Sequence, residues 1–183
     1  MDSYLEITLL PDPEFSAVIL MNSLYSKLHR ALHDLESTTI GVSFPNYKKT
    51  LGNSLRLHGT TTSLTELESK NWLGGIIGYC QVTEIMAVPD SVKFRSIGRL
   101  HPKKSPAKLR RLERRGSITP EEINVYRSKM AAENLPNPYL ELTSASNGHK
   151  HRRYIELGPL LDKPVAGEFD QFGLSKTATV PWF

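Results

Sequence analysis

The sequence lacks several features that define other classes of protein. Its one cysteine, Cys80, excludes an internal disulfide and a cysteine-based metal cluster. No stretch approaches the ~20 apolar residues that a membrane-spanning helix needs, and the N-terminus shows no basic start followed by an apolar run. These absences favour a soluble protein of a reducing compartment, and we expect it in the cytoplasm with no membrane partner.

Acidic residues are nearly missing from one segment of the chain. The 183 residues carry 23 Lys+Arg and 19 Asp+Glu, a net charge of +4. Residues 99–115 contain eight basic residues and one acid, Glu113, so this segment carries +7 and the rest of the chain carries −3. The distribution excludes a general polycation and indicates a globular body with one concentrated anion-binding surface.

The spacing of apolar residues predicts an α+β fold. The first six predicted elements are a strand, a long helix, two strands, a helix and a strand, which cover residues 4–10, 12–35, 40–44, 55–58, 63–73 and 79–88. This β-α-β-β-α-β order is the ferredoxin-like pattern. In this prediction Asp12 opens the long helix, and a capping box of Ser63 and Glu66 opens the second one.

The second half of the chain has a different pattern. A strand is predicted over 94–100, followed by a short basic helix over 106–115 and a helix that begins behind a Thr119–Glu122 capping box. Asn147-Gly148 then predicts the turn of a β-hairpin. We therefore expect a ferredoxin-like domain over 1–94 and a second region over 95–183 that contains the basic helix and the hairpin.

The basic helix is the strongest physical signal in the sequence. Lys104, Lys108, Arg111 and Arg115 are spaced to share one helical face. Like charges at this spacing destabilise an isolated helix, so the row is best explained by a polyanion lying beside it. A solvated helix face is the alternative, but the single sign of the charge favours a nucleic acid, without choosing between RNA and DNA.

Two groups of side chains are candidates for chemistry. His29 and His33 have the spacing of a helical metal site, but Arg30 between them would repel a cation. His29 borders the apolar face of its helix, and a neutral imidazole is the usual general base. Ser144 and Ser146 end an apolar strand face, where they either face a cleft or mark the strand leaving the core.

Several motifs together resemble the CRISPR-associated endoribonucleases of type I-F systems, the Csy family that processes CRISPR RNA. The resemblance covers nearly the whole chain. Its main motifs are Pro11-Asp12-Pro13-Glu14-Phe15, Lys27-Leu28-His29, Ile40-Gly41-Val42-Ser43-Phe44-Pro45, Ser144-x-Ser146-x-Gly148, Gly173-Leu174-Ser175-Lys176 and Val180-Pro181-Trp182-Phe183.

The resemblance implies a metal-independent endoribonuclease without a cofactor. Such an enzyme binds the stem-loop of the CRISPR repeat RNA, cuts at the 3′ base of the stem and stays bound within the type I-F surveillance complex, with its other subunits as partners. By the same resemblance His29 is the general base for the RNA 2′-hydroxyl, and Ser144 orients the ribose. The implied RNA contacts are Arg99, His101, Lys104, Lys108, Arg111, Arg114, Arg115, Ser146, His151 and Phe172.

Three of these positions depart from the family pattern. Phe172 stands where the family has an active-site tyrosine, His101 where it has a base-reading glutamine, and His151 where an aromatic residue stacks under the stem. A hairpin-binding subunit that does not cut is therefore the alternative function. A DNA-binding protein is a third hypothesis, but it gives no reason for His29 and Ser144.

Overall fold

The structure is a computed structural model that describes residues 1–101, 104, 106–132, 135–143 and 148–183. Its strands are β1 (Ser3–Leu9), β2 (Gly41–Ser43), β3 (Ser54–Gly59), β4 (Cys80–Val82), β5 (Met86–Ala87), β6 (Lys93–Arg95), β7 (Ile97–Leu100), β8 (Tyr139–Thr143), β9 (Lys150–Leu157) and β10 (Val180–Trp182). Its α-helices are α1 (Ala17–Asp34), α2 (Thr61–Ser69), α3 (Pro106–Arg114) and α4 (Pro120–Ala132). The chain is thus a mixed α/β protein, and every strand pair described in register is antiparallel.

The largest sheet has the strand order β2-β3-β1-β4, with β5 also pairing with β1. In its centre Leu5 of β1 lies opposite Leu57 of β3, and Ile7 lies opposite Leu55. Helix α1 connects β1 to β2, and α2 lies between β3 and β4 in the chain. The alternate side chains of β1 are buried, as expected for strands that pack one face against helices.

Helix α1 begins later than the sequence predicts. Its N-cap is Ser16, whose hydroxyl accepts a hydrogen bond from the amide of Ile19. Asp12 instead accepts from the amides of Glu14 and Phe15, at 2.9 and 2.8 Å, and closes a separate turn. The buried stripe of α1 follows the predicted periodicity and includes Leu24 and Leu28.

Two other predictions are wrong in detail. The capping box of α2 is formed by Thr60 and Ser63, not by Ser63 and Glu66. The strand predicted over 94–100 is interrupted at Ser96, whose carbonyl accepts from the amide of Gly158 at 2.9 Å. As a result β6 pairs with β10, whereas β7 belongs to the sheet β7-β9-β8.

The chain packs as two compact units, one of residues 1–99 with 137–183 and one of residues 100–136. The smaller unit contains α3 and α4, and the predicted Thr119–Glu122 capping box is confirmed there by hydrogen bonds of 2.9 and 3.3 Å. The boundary predicted after residue 94 separates an expected ferredoxin-like domain from the region that contains the basic helix and the hairpin. This boundary stays a prediction. In the described part of the chain no helix is both long and apolar enough to cross a bilayer.

Candidate active site

A cleft of about 780 Å³ is lined by α1, by the β8–β9 pair and by Phe172. The cleft lies within the larger unit. Its basic and histidine side chains are Lys27, His29, Arg30, His33, His151 and Arg153. Among the described residues a single acidic one, Asp34, lines it. An excess of positive charge in a concave site concentrates anions there, so the cleft is suited to an anionic ligand.

His29 is oriented by a hydrogen bond to the main chain. Its Nδ1 lies 2.9 Å from the carbonyl oxygen of Gln171. Because a carbonyl oxygen only accepts, Nδ1 must carry the proton, and in the neutral ring Nε2 then has the free lone pair. The imidazole is thus held with Nε2 available as a base.

The surroundings of His29 keep it from protonating. Half-burial of the ring is the largest cause and lowers the pKa of His29, and the nearby charges of Arg153 and His33 lower it further. The hydrogen bond to Gln171 and the carboxylate of Asp170 oppose this shift. The net result is a pKa below 6.5, so the ring is neutral at physiological pH.

Phe172 forms the centre of a stack of three side chains. Its ring lies parallel to that of His29, with the two centroids 3.6 Å apart and the planes at 13°. The guanidinium carbon of Arg153 lies 3.4 Å from the same centroid. Both groups cannot occupy one face of the ring at these distances, so Phe172 separates His29 from Arg153. Phe172, at the position where the family pattern has a tyrosine, thus supports the imidazole of His29 through the face of its ring.

The turn that carries Phe172 is fixed from three directions. The hydroxyl of the fully buried Tyr25 donates to the Phe172 carbonyl at 2.5 Å. The Asp170 carboxylate accepts from the amides of Phe172 and Leu174 at 2.9 and 3.0 Å. Gly173 has φ +68°, and a Cβ there would lie 2.7 Å from Val42. The glycine is therefore required both by its left-handed backbone and by its packing against β2.

The structure brings three of the predicted site residues into this cleft: His29, His151 and Phe172. Arg99 lies at the end of β7, and its charge lowers the pKa of the Arg153 guanidinium, after the larger effect of burial. Ser144 and Ser146 lie outside the described residues. Thr143, which directly precedes them, lines the cleft.

The remaining predicted contacts belong to the smaller unit. Lys108, Arg111 and Arg114 lie on α3, where their side chains are exposed. Arg115 directly follows α3 and is exposed, as is His101, whereas Lys104 is half-buried.

Three residues that support the cleft were not predicted from the sequence: Tyr25, Asp170 and Gln171. Tyr25 carries a visible signal, since it lies one helical turn before His29 on the buried face of α1. Arg153 lies in the same strand as the predicted His151, two residues further on, where a strand places side chains on the same face.

In the described ranges no group of three or more His, Cys, Asp and Glu side chains could hold a metal ion. The rings of His29 and His33 are 6.4 Å apart between centroids and meet nearly edge to face, at 83°.

Together these features define a mixed α/β protein with an oriented neutral imidazole in a basic cleft. The model of the Cas_Csy4 family, described as a CRISPR-associated protein, matches residues 4–183. The chain belongs to this family, which confirms the resemblance seen in the sequence.

Two curated relatives align with the whole chain. Both are named CRISPR-associated endonuclease Cas6/Csy4. The one from Escherichia coli (strain UTI89 / UPEC) is 41% identical over 184 residues, and the one from Pseudomonas aeruginosa (strain UCBPP-PA14) is 39% identical over 187 residues. Each alignment covers 100% of both proteins.

Two solved structures are more distant. A CRISPR endoribonuclease Cse3 bound to 19 nt RNA is 16% identical with a TM-score of 0.39, over 97% of this chain and 100% of that one. Thermus thermophilus Cse3, bound to an RNA representing a pre-cleavage complex, is 14% identical with a TM-score of 0.36, over 99% and 100%. These likenesses are too remote to bear on the site.

Proposed function

We propose that this chain is an endoribonuclease that binds the stem-loop of CRISPR repeat RNA and cuts it at the 3′ base of the stem. Family membership and the two relatives named as endonucleases support the activity. The observation that carries the proposal is His29, whose Nδ1–H donates to the Gln171 carbonyl. Its Nε2 is thereby left as a base in a cleft suited to an anion.

The proposed reaction uses a nucleophile that belongs to the RNA. Nε2 of His29 takes the proton of the 2′-hydroxyl, whose oxygen attacks the adjacent phosphorus. The bond from phosphorus to the 5′-oxygen breaks, and that oxygen takes a proton from solvent. The products are a 2′,3′-cyclic phosphate and a 5′-hydroxyl. Neither a metal ion nor a protein nucleophile enters this sequence of steps, and Ser144 is proposed to hold the ribose in line.

The proposed contacts with the hairpin lie in the region 95–183. Arg111, Arg114 and Arg115 bind stem phosphates along the major groove, together with Lys104 and Lys108. The exposure of Lys108, Arg111, Arg114 and Arg115 on and beside α3 supports this role. Arg99 reads a guanine at the base of the stem. His101, Ser146, His151 and Phe172 are the remaining candidate contacts.

We further propose that residues 1–94 form a ferredoxin-like domain. The strand order β2-β3-β1-β4, with a helix between β1 and β2 and another between β3 and β4, supports this assignment. In the cell the protein acts in the cytoplasm. It remains on its product as a subunit of the type I-F surveillance complex.

A cleavage assay with two RNAs tests the mechanism. One is the cognate repeat RNA, and the other carries a single 2′-deoxy nucleotide at the cut site; both are incubated in excess EDTA. We expect the first to be cut to a cyclic phosphate and the second to bind without being cut. His29→Ala should abolish cutting and leave binding intact.

Three outcomes would contradict parts of this proposal. Cleavage of the deoxy RNA would exclude attack by the 2′-hydroxyl. Loss of cleavage in EDTA would exclude the metal-independent reaction. If wild-type protein binds both RNAs tightly and cuts neither, the protein is a hairpin-binding subunit that does not cut. This is the alternative function that the departures of Phe172 and His151 from the family pattern suggested.

A further inference from the structure

Two arginines are buried in the described part of the chain, Arg56 and Arg153, which are 8% and 6% exposed. Arg56 has an oxygen partner for each guanidinium nitrogen. The Glu6 carboxylate accepts from Nε at 2.9 Å and from one terminal nitrogen at 2.6 Å, and the main-chain oxygen of Phe183 accepts from the other at 2.8 Å. Arg56 therefore has the complete set of partners expected of a structural buried arginine.

Arg153 differs from Arg56 in its partners. Its Nε is buried without a hydrogen-bond partner, and no carboxylate of the described residues forms an ion pair with it. Its close contact is the ring of Phe172. Burial is the largest effect and lowers the pKa of the Arg153 guanidinium, the charge of Arg99 lowers it further, and the charge of Asp170, which forms no ion pair with it, opposes this shift. The protein alone therefore compensates the buried charge only in part, and a bound anion would supply the rest of this electrostatic demand.

The position of Arg153 connects this demand to the candidate active site. Arg153 lines the same cleft as His29, on the opposite face of Phe172. Stacking on the ring holds the planar guanidinium in one orientation, which lowers the entropy lost when a ligand binds it. Since Asp34 is the one acid among the described residues of the lining, the ligand that fits is an anion.

We propose that Arg153 binds the RNA phosphate group at the cut site. The inference rests on the proposed function, which brings that phosphate next to His29. A guanidinium can donate two parallel hydrogen bonds to the non-bridging oxygens of one phosphate. Negative charge on these oxygens grows as the 2′-oxygen attacks, so a donor already in place stabilises the transition state more than the ground state.

A second role for Arg153 makes a different prediction. If it only supports the ring of Phe172, its side chain contributes to stability and not to the recognition of a phosphate. Arg153→Met keeps a long apolar stem against the ring and removes the charge. Arg152→Met is the matched control, because Arg152 is the neighbouring residue in β9, its side chain is 53% exposed, and its Nε faces the carboxylate of Glu141 at 3.9 Å.

The first experiment removes the charge of Arg153 and that of the phosphate at the cut position in turn. Wild type and variants bind the 2′-deoxy repeat RNA, carrying either a normal phosphate or a neutral methylphosphonate at the cut position. We expect the methylphosphonate to weaken binding to wild type and Arg152→Met by about tenfold or more, the usual range for a charged hydrogen bond. Arg153→Met should bind the two RNAs equally. Its single-turnover cleavage of the normal RNA should fall by roughly 10²–10³-fold.

The second experiment does not depend on RNA cleavage. Inorganic phosphate is titrated into each protein while the ring-proton resonances of His29 are followed by NMR. Phosphate should shift them in wild type and Arg152→Met, but not in Arg153→Met. If wild type shows this response yet never cuts the repeat RNA, the anion site stands and the proposed function fails.

Two results would overturn the inference. The first is an equal methylphosphonate penalty in wild type and Arg153→Met. The second is a phosphate-induced shift of His29 that survives in Arg153→Met. A lowered melting temperature of Arg153→Met together with either result would assign Arg153 to the support of Phe172. Arg153→Lys provides a second variant, since it keeps the charge and should retain part of the phosphate preference even if Arg153→Met folds poorly.

Discussion

The hydroxyl of Tyr25 is the most sharply testable support of the candidate active site. It donates to the carbonyl of Phe172 across 147 residues of sequence, at 2.5 Å, from a side chain that is fully buried. Phe172 in turn stacks on His29, and the preceding residue, Gln171, accepts the hydrogen bond of the imidazole. Tyr25→Phe removes one oxygen atom and keeps the ring, so it isolates the contribution of this single bond.

The expected cost follows from what the substitution leaves behind. The carbonyl of Phe172 loses the donor that the fully buried Tyr25 provides, and an unsatisfied buried polar group costs about 1–3 kcal/mol. The new phenyl ring keeps the packing of Tyr25 against Phe44, whose centroid is 5.9 Å away. We therefore expect a loss of about 1–3 kcal/mol in the free energy of unfolding. We also expect a fall of roughly tenfold in single-turnover cleavage, since ~1.4 kcal/mol lost from the positioning of His29 corresponds to that factor.

Urea denaturation and single-turnover kinetics measure the two effects. Tyr4→Phe is the matched control, because within the described ranges the Tyr4 hydroxyl makes a weak contact with the sulfur of Met86, at 3.9 Å, and no other hydrogen bond. It should change stability by less than about 0.5 kcal/mol. The reasoning is refuted if Tyr25→Phe and Tyr4→Phe have the same stability. It is also refuted if Tyr25→Phe loses stability while cleavage with saturating RNA stays at the wild-type rate, since Tyr25 would then not position His29.

Three further predictions concern pH, salt and a buried ion pair. Because His29 must be neutral to act as a base, the second-order cleavage rate should rise with pH and level off, with a midpoint below 6.5; a rate that falls across this range would contradict the assignment. Arg115→Ala should weaken hairpin binding and reduce the slope of affinity against salt concentration. Filter binding at several salt concentrations measures this slope, and an unchanged slope would exclude a phosphate contact. Glu6→Gln should lower the free energy of unfolding by about 3 kcal/mol in urea denaturation, because it leaves Arg56 buried without its carboxylate. Glu141→Gln is the surface control, and equal stability of the two variants would disprove this expectation.

Local signals predicted the elements of the fold better than their pairing. The 3.6-residue period of α1 is a property of adjacent turns, so the buried face of that helix could be read directly from the sequence. The start of α1 could not, because Asp12 and Ser16 are both good caps and only the packing decides which one opens the helix. The division of residues 93–100 between two sheets depends on Gly158 and β10, which lie far away in sequence.

The candidate site shows the same distinction. His29 could be found because it borders an apolar helix face and matches a family motif. The partners that determine its chemistry, Gln171 and Arg153, are more than 120 residues away, and no periodicity links them to it. The pairing of His29 with Ser144 stays a prediction, since Ser144 lies outside the described residues.

The positive charge of the cleft has two opposing consequences for the base. It attracts the RNA, but a bound phosphate beside His29 would favour the imidazolium and so weaken the base. Burial of the ring and the charge of Arg153 both lower the pKa of His29 and counter that effect. A guanidinium placed across Phe172 is thus close enough to disfavour protonation of the imidazole, while the ring between them keeps the two groups apart. The net positive charge of the cleft alone could not have this effect on the pKa of His29. The effect requires one particular cation, Arg153, at one particular face of the Phe172 ring.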